Sequence, residues 1–380
     1  MNITLHDNES WLKFAPLTLT RPIGNLRMGI LTNDERWKLF FPRAEIGFKS
    51  EDFLAGRFPN VGGTEMNACV ILNRELADAI IQLGENQELY CDQCWIARNG
   101  DGSNKVKFTG KLIVISERWN LYQMNGEALI NDFEMMSEGK TSQALSNSNR
   151  VIGDPDLIFL EEGAKVEASI LNTMNGPIYV GRNAEIMEGS IVRGPFAMNE
   201  SSALKLGTKI YGPTTLGPHC KVGGEVNNCI FQSYSNKGHD GFLGNSLIGE
   251  WCNLGADTNS SNLKNNYGEV KTFNFESMQL EQTDVLFMGL VMGDHSKCGI
   301  NTMFNTATVV GVSSNVFGAE FPPKYIPSFQ WGVHGDSYSF AKALESASNM
   351  MSRRGLQLSI PEIDILQYVS DTSNGFSGNK

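Results

Sequence analysis

The chain lacks any run approaching the roughly 20 apolar residues that a membrane-crossing helix requires. No membrane partner is expected. Basic residues are in the minority, 31 Lys and Arg against 42 Asp and Glu, for a net charge of −11. Without a basic cluster no nucleic-acid partner is expected either, because binding phosphate chains needs a cationic face. Anionic small molecules stay open, since one Arg or Lys can serve them locally. The opening Asn2-Ile-Thr-Leu-His-Asp carries no basic stretch followed by an apolar run, so no signal peptide is expected. The seven cysteines are odd in number and scattered, which fits a reducing cytoplasm better than a disulfide framework. The C-x-x-C at Cys91 and Cys94 has no second pair nearby, which weighs against zinc. There is no G-x-S-x-G, no P-loop, no H-E-x-x-H and no complete dinucleotide fingerprint.

The chain does have 380 residues, 41% of them hydrophobic and 19% charged. That is a globular composition, with length for about two to three domains. Glycine (39) and proline (13) mark many turns, and Gly and Asn crowd into the second half.

Every sixth residue from 180 is aliphatic: Val180, Ile186, Val192, Met198, Leu204, Ile210, Leu216 and Val222. The run slips and resumes at Phe242, Ile248 and Leu254, then slips again and resumes at Met292, Cys298, Phe304, Val310 and Val316. A period of six is neither helical nor simple alternation. It is the hexapeptide signature of a β-helix, in which three units close a triangular coil and the anchors fill the prism. At the second slip, residues 259–287 are polar and Asn-rich at their start, and they read as a loop leaving the prism. Loops on a rigid solenoid commonly carry function.

The first half shows no such period. Leu76–Leu83 reads as a short amphipathic helix and Lys111-Leu-Ile-Val-Ile as a buried strand, a mixture that suggests α/β. Residues 137–150 are small and polar and read as a linker. The expected organisation is an α/β domain over 1–145, a β-helix over 150–330 and a helical tail over 331–380. In the tail, Phe340, Ala343, Leu344 and Ala347 share one helix face, and the helix is expected to cap the last coil, which otherwise exposes its core.

His239 lies inside the first slip, in Lys237-Gly-His-Asp-Gly-Phe. A histidine between glycines on a loop is not a core residue, and its ordinary pKa near 6.5 suits a general base. Asp240 or a backbone carbonyl is the candidate to orient it. His219, after Pro218, and His295 read as coil corners. No histidine pair has metal-ligand spacing, so no metal ligands are assigned. In Leu17-Thr-Leu-Thr-Arg-Pro-Ile-Gly-Asn-Leu-Arg-Met-Gly, Thr18, Arg21 and Arg27 are candidates to cradle a nucleotide phosphate through guanidinium and backbone N–H groups.

The stretch Lys237-Gly-His-Asp-Gly-Phe-Leu-Gly-Asn-Ser-Leu-Ile-Gly-Glu-Trp-Cys-Asn-Leu-Gly-Ala-Asp-Thr resembles the left-handed hexapeptide acyltransferases. It matches the acetyltransferase half of the bifunctional N-acetylglucosamine-1-phosphate uridylyltransferase/glucosamine-1-phosphate acetyltransferase family, which reads K-x-G-H-x-x-Y-x-G-D-x-x-I-G-x-x-x-N-I-G-A-G-T there. With Pro16-Leu-Thr-Leu-Thr-Arg-Pro-Ile-Gly-Asn-Leu-Arg-Met-Gly and Trp331-Gly, nearly the whole chain resembles a shorter, sugar-nucleotidyltransferase-like form of that family. The resemblance implies a left-handed β-helix behind a reduced nucleotidyltransferase-like domain. It implies His239 as the base that takes a proton from a sugar amine, with Asn253 polarising the reacting centre. Ala256 would line an acetyl-CoA cleft, with Lys237, Phe242, Asn262, Lys264, Tyr267 and Arg193 about the donor and acceptor. It also implies a homotrimer, a sugar phosphate or nucleotide sugar as small-molecule partner, and Mg2+ if the first domain is active.

The departures are specific. The family's tyrosine three residues after the histidine is Phe242 here. Two of its phosphate-binding cations fall at Asn227 and near Glu200, and the G-x-G-T-R that precedes Pro-Leu-Thr in pyrophosphorylases is missing. Acetyl transfer from acetyl-CoA to an amino-sugar phosphate is therefore the leading expectation, with or without nucleotidyl transfer. The rivals are a sugar-1-phosphate nucleotidyltransferase with a structural β-helix, and a non-catalytic trimer that binds a sugar nucleotide.

Overall fold

The structure is a computed structural model that describes residues 2–92 and 94–373. Residues 374–380 of the expected tail lie outside the described residues. In the first half, β1 (Asn2–His6), β2 (Glu45–Lys49), β3 (Thr64–Asn67), β5 (Gln87–Tyr90), β6 (Trp95–Arg98) and β7 (Asn104–Lys107) form one mixed sheet in the order β2-β1-β3-β6-β5-β7. A small pair, β4 (Val70–Ile71) with β8 (Ile113–Val114), covers its edge of the core. Helix α1 (Asn33–Phe40) starts at a Thr32–Glu35 capping box, and α2 (Arg74–Ile81) starts at Asn73, whose side chain accepts from Leu76 N–H. Both caps satisfy N–H groups that a helix leaves orphaned. Helices α3 (Arg118–Gln123) and α4 (Asn125–Ser137) follow.

From Arg150 the chain winds as a parallel β-helix of three sheets. The first face holds eight strands, from Arg150–Ile152 to Met303–Phe304. The second holds nine, from Ile158–Leu160 to Tyr325–Ile326. The third runs from Lys165–Val166 and holds ten. Strands of two or three residues suffice, because each needs only one inward side chain. Leu171, Val192, Ile210, Val226, Leu243 and Phe304 stack inward on the first face. Leu160, Val180, Met198, Leu216, Phe231, Ile248, Met292 and Val310 do so on the second, and Val166, Ile186, Leu204, Val222, Leu254, Cys298 and Val316 on the third.

One anchor is displaced from the hexad reading. Val226 pairs with Leu243, so Leu243 fills the core and Phe242 faces outward on the first face. Shortened corners cause this: Ile210 pairs with Val226 and Leu216 with Phe231, so these coils are tighter than three hexads. A one-residue offset turns every strand side chain to the other side.

The segment 138–149 is more than a linker. Gln143 N–H donates to Leu160 C=O, the Gln143 side chain reaches Ala164 C=O, and Leu145 packs on the prism core. It thereby covers the open end of the first coil. At the other end the cover is the antiparallel pair Gln330–Trp331 and Asp336–Ser337, with Val333 on the core. The tail helices α5 (Phe340–Ser352) and α6 (Ile360–Thr372) instead turn back beside the coils. Phe340 meets Phe329 of the last coil, whereas α6 stacks Tyr368 on Phe53 and pairs Glu362 with Arg57 of the first domain.

The first domain sits on the second face. Outward residues Phe159, Tyr179 and Ala197 pack with Ile30, Leu129 and Phe133, and Ile230, Leu247, Val291 and Val309 join the first domain's core. This face is buried on both sides, which is why its strands read as Ile178-Tyr-Val and Phe196-Ala-Met with no polar alternation. Polar bonds fix the seam. Arg21 meets Asp294 at 2.5 Å and Glu250 at 3.0 Å, and Thr215 Oγ1 donates to Gly29 C=O. Burial alone would raise the Glu250 pKa, but the Arg21 guanidinium overrides it and holds the carboxyl at about 2. That stabilisation is present above the ordinary carboxylate value and is lost as pH falls toward 2. Replacing Arg21 by Met leaves the buried Asp294 and the partly buried Glu250 without their cation. A loss of about 3–5 kcal/mol at pH 7 is expected from urea titration, together with disappearance of the acid-sensitive stability between pH 4.5 and 2.

Candidate functional site

A groove of about 830 Å³ runs between the third face and α5. Its wall follows from the stacking. Lys221 pairs with Asn236, Asn236 with Asn253, and Asn253 with Lys297, each one residue before an inward position. Parallel register therefore lays these four outward side chains in one column. Gly238, Gly255 and Ala256 keep the floor low. Lys205 stands lower on the same wall, while Arg353 and Arg354, at the end of α5, close it opposite.

Five cations thus converge in a chain that is acidic overall. They act on one another: Lys221 is lowered by burial first and then by Arg354, Lys205 and Arg353. Lys297 is lowered by burial, and its ammonium donates to His295 C=O at 2.9 Å. Beside the column stands a stack of rings. His219, Tyr234, Trp251 and His295 each take a left-handed corner, with φ of 59°, 54°, 57° and 61°. Successive centroids lie 4.7, 4.2 and 6.5 Å apart with nearly parallel planes. Tyr234 and Trp251 line the groove. His295 is half-buried behind Trp251, and desolvation pushes its imidazole pKa down.

His239 is exposed at the groove's edge, in the turn between Asn236–Lys237 of the third face and Phe242–Gly244 of the first. Asp240 accepts from Asp257 N–H through its carbonyl. No hydrogen bond joins its carboxylate to the His239 ring among the described residues. Asn253 and Ala256 line the groove with His239, so three of the residues singled out from the sequence come together.

The others lie elsewhere. Lys237 points into the prism. Phe242 and Arg193 face outward from the first face, as does Asn227. The side-chain amide of Asn262 donates to Asn245 Oδ1, Lys264 Nζ donates to Glu269 C=O, and Tyr267 is exposed. The loop that carries them docks on the first domain through its hairpin Lys271–Asn274/Gln279–Gln282. Arg118 reaches Thr272 Oγ1 and Phe273 C=O, and Tyr122 reaches Phe287 C=O. Thr18, Arg21 and Arg27 are buried, the two arginines in the seam. Thr18 Oγ1 donates to Trp11 C=O, and Arg27 binds Gln232 C=O, Ile30 C=O and Glu35. Their donors serve the protein itself. Sequence reasoning missed Lys205, Lys221, Lys297, Arg353 and Arg354. The two lysines of the column were legible as the residues preceding every third anchor; the arginines had no such signal.

Among the described residues no group of three or more His, Cys, Asp or Glu side chains converges to hold a metal ion.

Residues 3–141 match the profile of a family described as sugar nucleotidyl transferase. Three curated relatives are each named Bifunctional protein GlmU. The one from Methanocaldococcus jannaschii is 36% identical over 87 residues, 23% of this chain and 21% of that protein. The one from Cyanothece sp. is 20% identical over 200 residues, 47% of this chain and 40% of that protein. The third, from Rippkaea orientalis, is 20% identical over 172 residues. Over those stretches the chain is similar to GlmU. Its matches span between about a fifth and two fifths of the length of those relatives. Solved structures with loose likeness include the polySia-specific acetyltransferase NeuO, with a TM-score of 0.27 and 10% identity over 55% of this chain and all of that one. Arabidopsis UDP-N-acetylglucosamine acyltransferase follows at 0.23 and 13%, over 62% of this chain and 92% of that one. At these scores the fold rests on the strand order described above.

The groove's cation crowding has a direct readout. The His219 imidazole is lowered by burial first and by Arg354 second. In Arg354→Ala the His219 ring is expected to titrate closer to its ordinary value, followed by proton NMR. An unchanged midpoint would mean that the two do not share the groove.

Proposed function

We propose that the groove holds acetyl-CoA and that His239 is the general base for acetyl transfer to the amine of an amino-sugar phosphate or nucleotide amino sugar. The observation that carries this reading is the juxtaposition of His239 with five cations in one cleft of an otherwise acidic chain. The donor's phosphates would meet Lys205, Lys221, Arg353 and Arg354, and its pantetheine would run along the low floor of Gly238, Gly255 and Ala256. The acceptor amine attacks the thioester carbonyl as His239 takes its proton. The C–N bond forms, the C–S bond breaks, and the proton passes to the leaving thiolate. Asn253, on the same wall, is the candidate to polarise the carbonyl.

His239 stands where the third face turns into the first. Ile152, Ile191, Tyr211 and Met303 are exposed on the first face, divided between two columns that also hold Asn172, Arg193 and Lys209. In this reading a second copy packed on that face would complete the acceptor side of the site, as in a homotrimer. The first domain supports a second reading, sugar-1-phosphate nucleotidyl transfer, on the strength of its family match. Thr18, Arg21 and Arg27 are already engaged within the protein, so that reading needs other residues for the nucleotide phosphates. A cytoplasmic setting fits both readings.

Release of free thiol from acetyl-CoA across a panel of amino-sugar phosphates and nucleotide amino sugars tests the reading. Acceptor-dependent release is expected, falling about a hundredfold or more in His239→Ala. Arg353→Ala and Arg354→Ala should raise the KM for acetyl-CoA and leave kcat nearly unchanged. Release that persists in His239→Ala would remove the base from this assignment. Pyrophosphate formation from a nucleoside triphosphate and a sugar 1-phosphate, with no thiol release, would favour the second reading.

A further inference from the structure

Lys237 occupies an inward position of the prism. On the third face the inward column otherwise runs Val166, Ile186, Leu204, Val222, Leu254, Cys298 and Val316, all small or aliphatic. Val222 pairs with Lys237 in register, so the lysine stands directly above a core valine. It is 1% exposed. Its ammonium donates to Gly223 C=O at 3.2 Å and to His239 C=O at 2.9 Å. Burial drives its pKa down to about 8, against the weaker upward pull of Asp240.

Nothing in the fold calls for a cation here. Desolvating an ammonium costs several kcal/mol, and two carbonyls repay only part of it. An unbranched apolar side chain would fill the same slot without that cost. The turn above it explains the choice better. His239 is flanked by Gly238 and is followed two residues later by Gly241, whose φ is 116°. A turn built this way has little stiffness of its own. The ammonium pins it from inside: one donor reaches the coil beneath, at Gly223, and another the carbonyl of His239 itself. Hydrogen bonds from a charged donor are shorter and stronger than neutral ones.

We propose that Lys237 is a positioning residue, held in the prism core at a cost in stability, that fixes the backbone of His239 through the groove wall. The inference rests on the reading of His239 as base. A base that strays by an ångström can lose about a hundredfold in rate while donor binding is untouched.

The test is Lys237→Met, with His239→Ala alongside, in the full chain. Three results are expected. The thermal midpoint stays level or rises, opposite to what loss of a merely structural contact would do. Amide exchange across Gly238–Gly241 speeds up, because the tie is gone. The kcat for acetyl transfer falls between about ten- and a hundredfold, with KM for acetyl-CoA within about twofold. A lowered thermal midpoint, unchanged exchange in the turn, or an unchanged kcat would each overturn the proposal. If His239→Ala retains full activity, the base reading fails instead, and exchange in the turn still decides whether Lys237 pins it.

Discussion

Parallel coil register is the constraint on which the rest of this molecule depends. Strands of neighbouring coils sit about 4.8 Å apart, so each side chain has a counterpart directly above and below. Inward, that rule stacks aliphatic residues into a continuous core. Outward, it converts residues far apart in sequence into columns. Lys221 and Lys297 are 76 positions apart, yet they share a wall with Asn236 and Asn253 between them. At the corner it stacks His219, Tyr234, Trp251 and His295, with ring attraction offsetting left-handed backbone.

The same register decides how the two halves share work. The second face is apolar outward as well as inward, and the first domain covers it. The segment that carries Thr18, Arg21 and Arg27 becomes the mortar of that seam. Arg21 is spent on Asp294 and Glu250 rather than held ready for a phosphate. The third face is left as the wall of a cleft, and the returning tail supplies the opposite wall. The electrostatic outcome is local: an acidic chain keeps a cationic groove because three lysines of one face meet two arginines of one helix end.

Buried polar groups mark where the fold departs from its own rule. Lys237 breaks a column of apolar anchors directly behind His239. His295 is half-buried, and its buried Nδ1 has no partner among the described residues, close to the Arg21 cluster. Sites at which a regular pattern is broken at a cost in stability are where function is to be sought, and both departures flank the groove.

The hexad period by itself determined the β-helix and the two places where its count slips, because an inward anchor every six residues has no other economical packing. His239 drew attention for a related reason: a histidine among glycines where the count slips has no core role. The tertiary structure alone decided the rest. Shortened corners turned Phe242 outward and Leu243 inward, which no periodic count could place. The polar loop docked on the first domain and took Asn262, Lys264 and Tyr267 away from the groove. Lys237 went into the core. Arg353 and Arg354 reached the site only because the tail folds back along the coils, and contacts of that range leave no local pattern in a sequence.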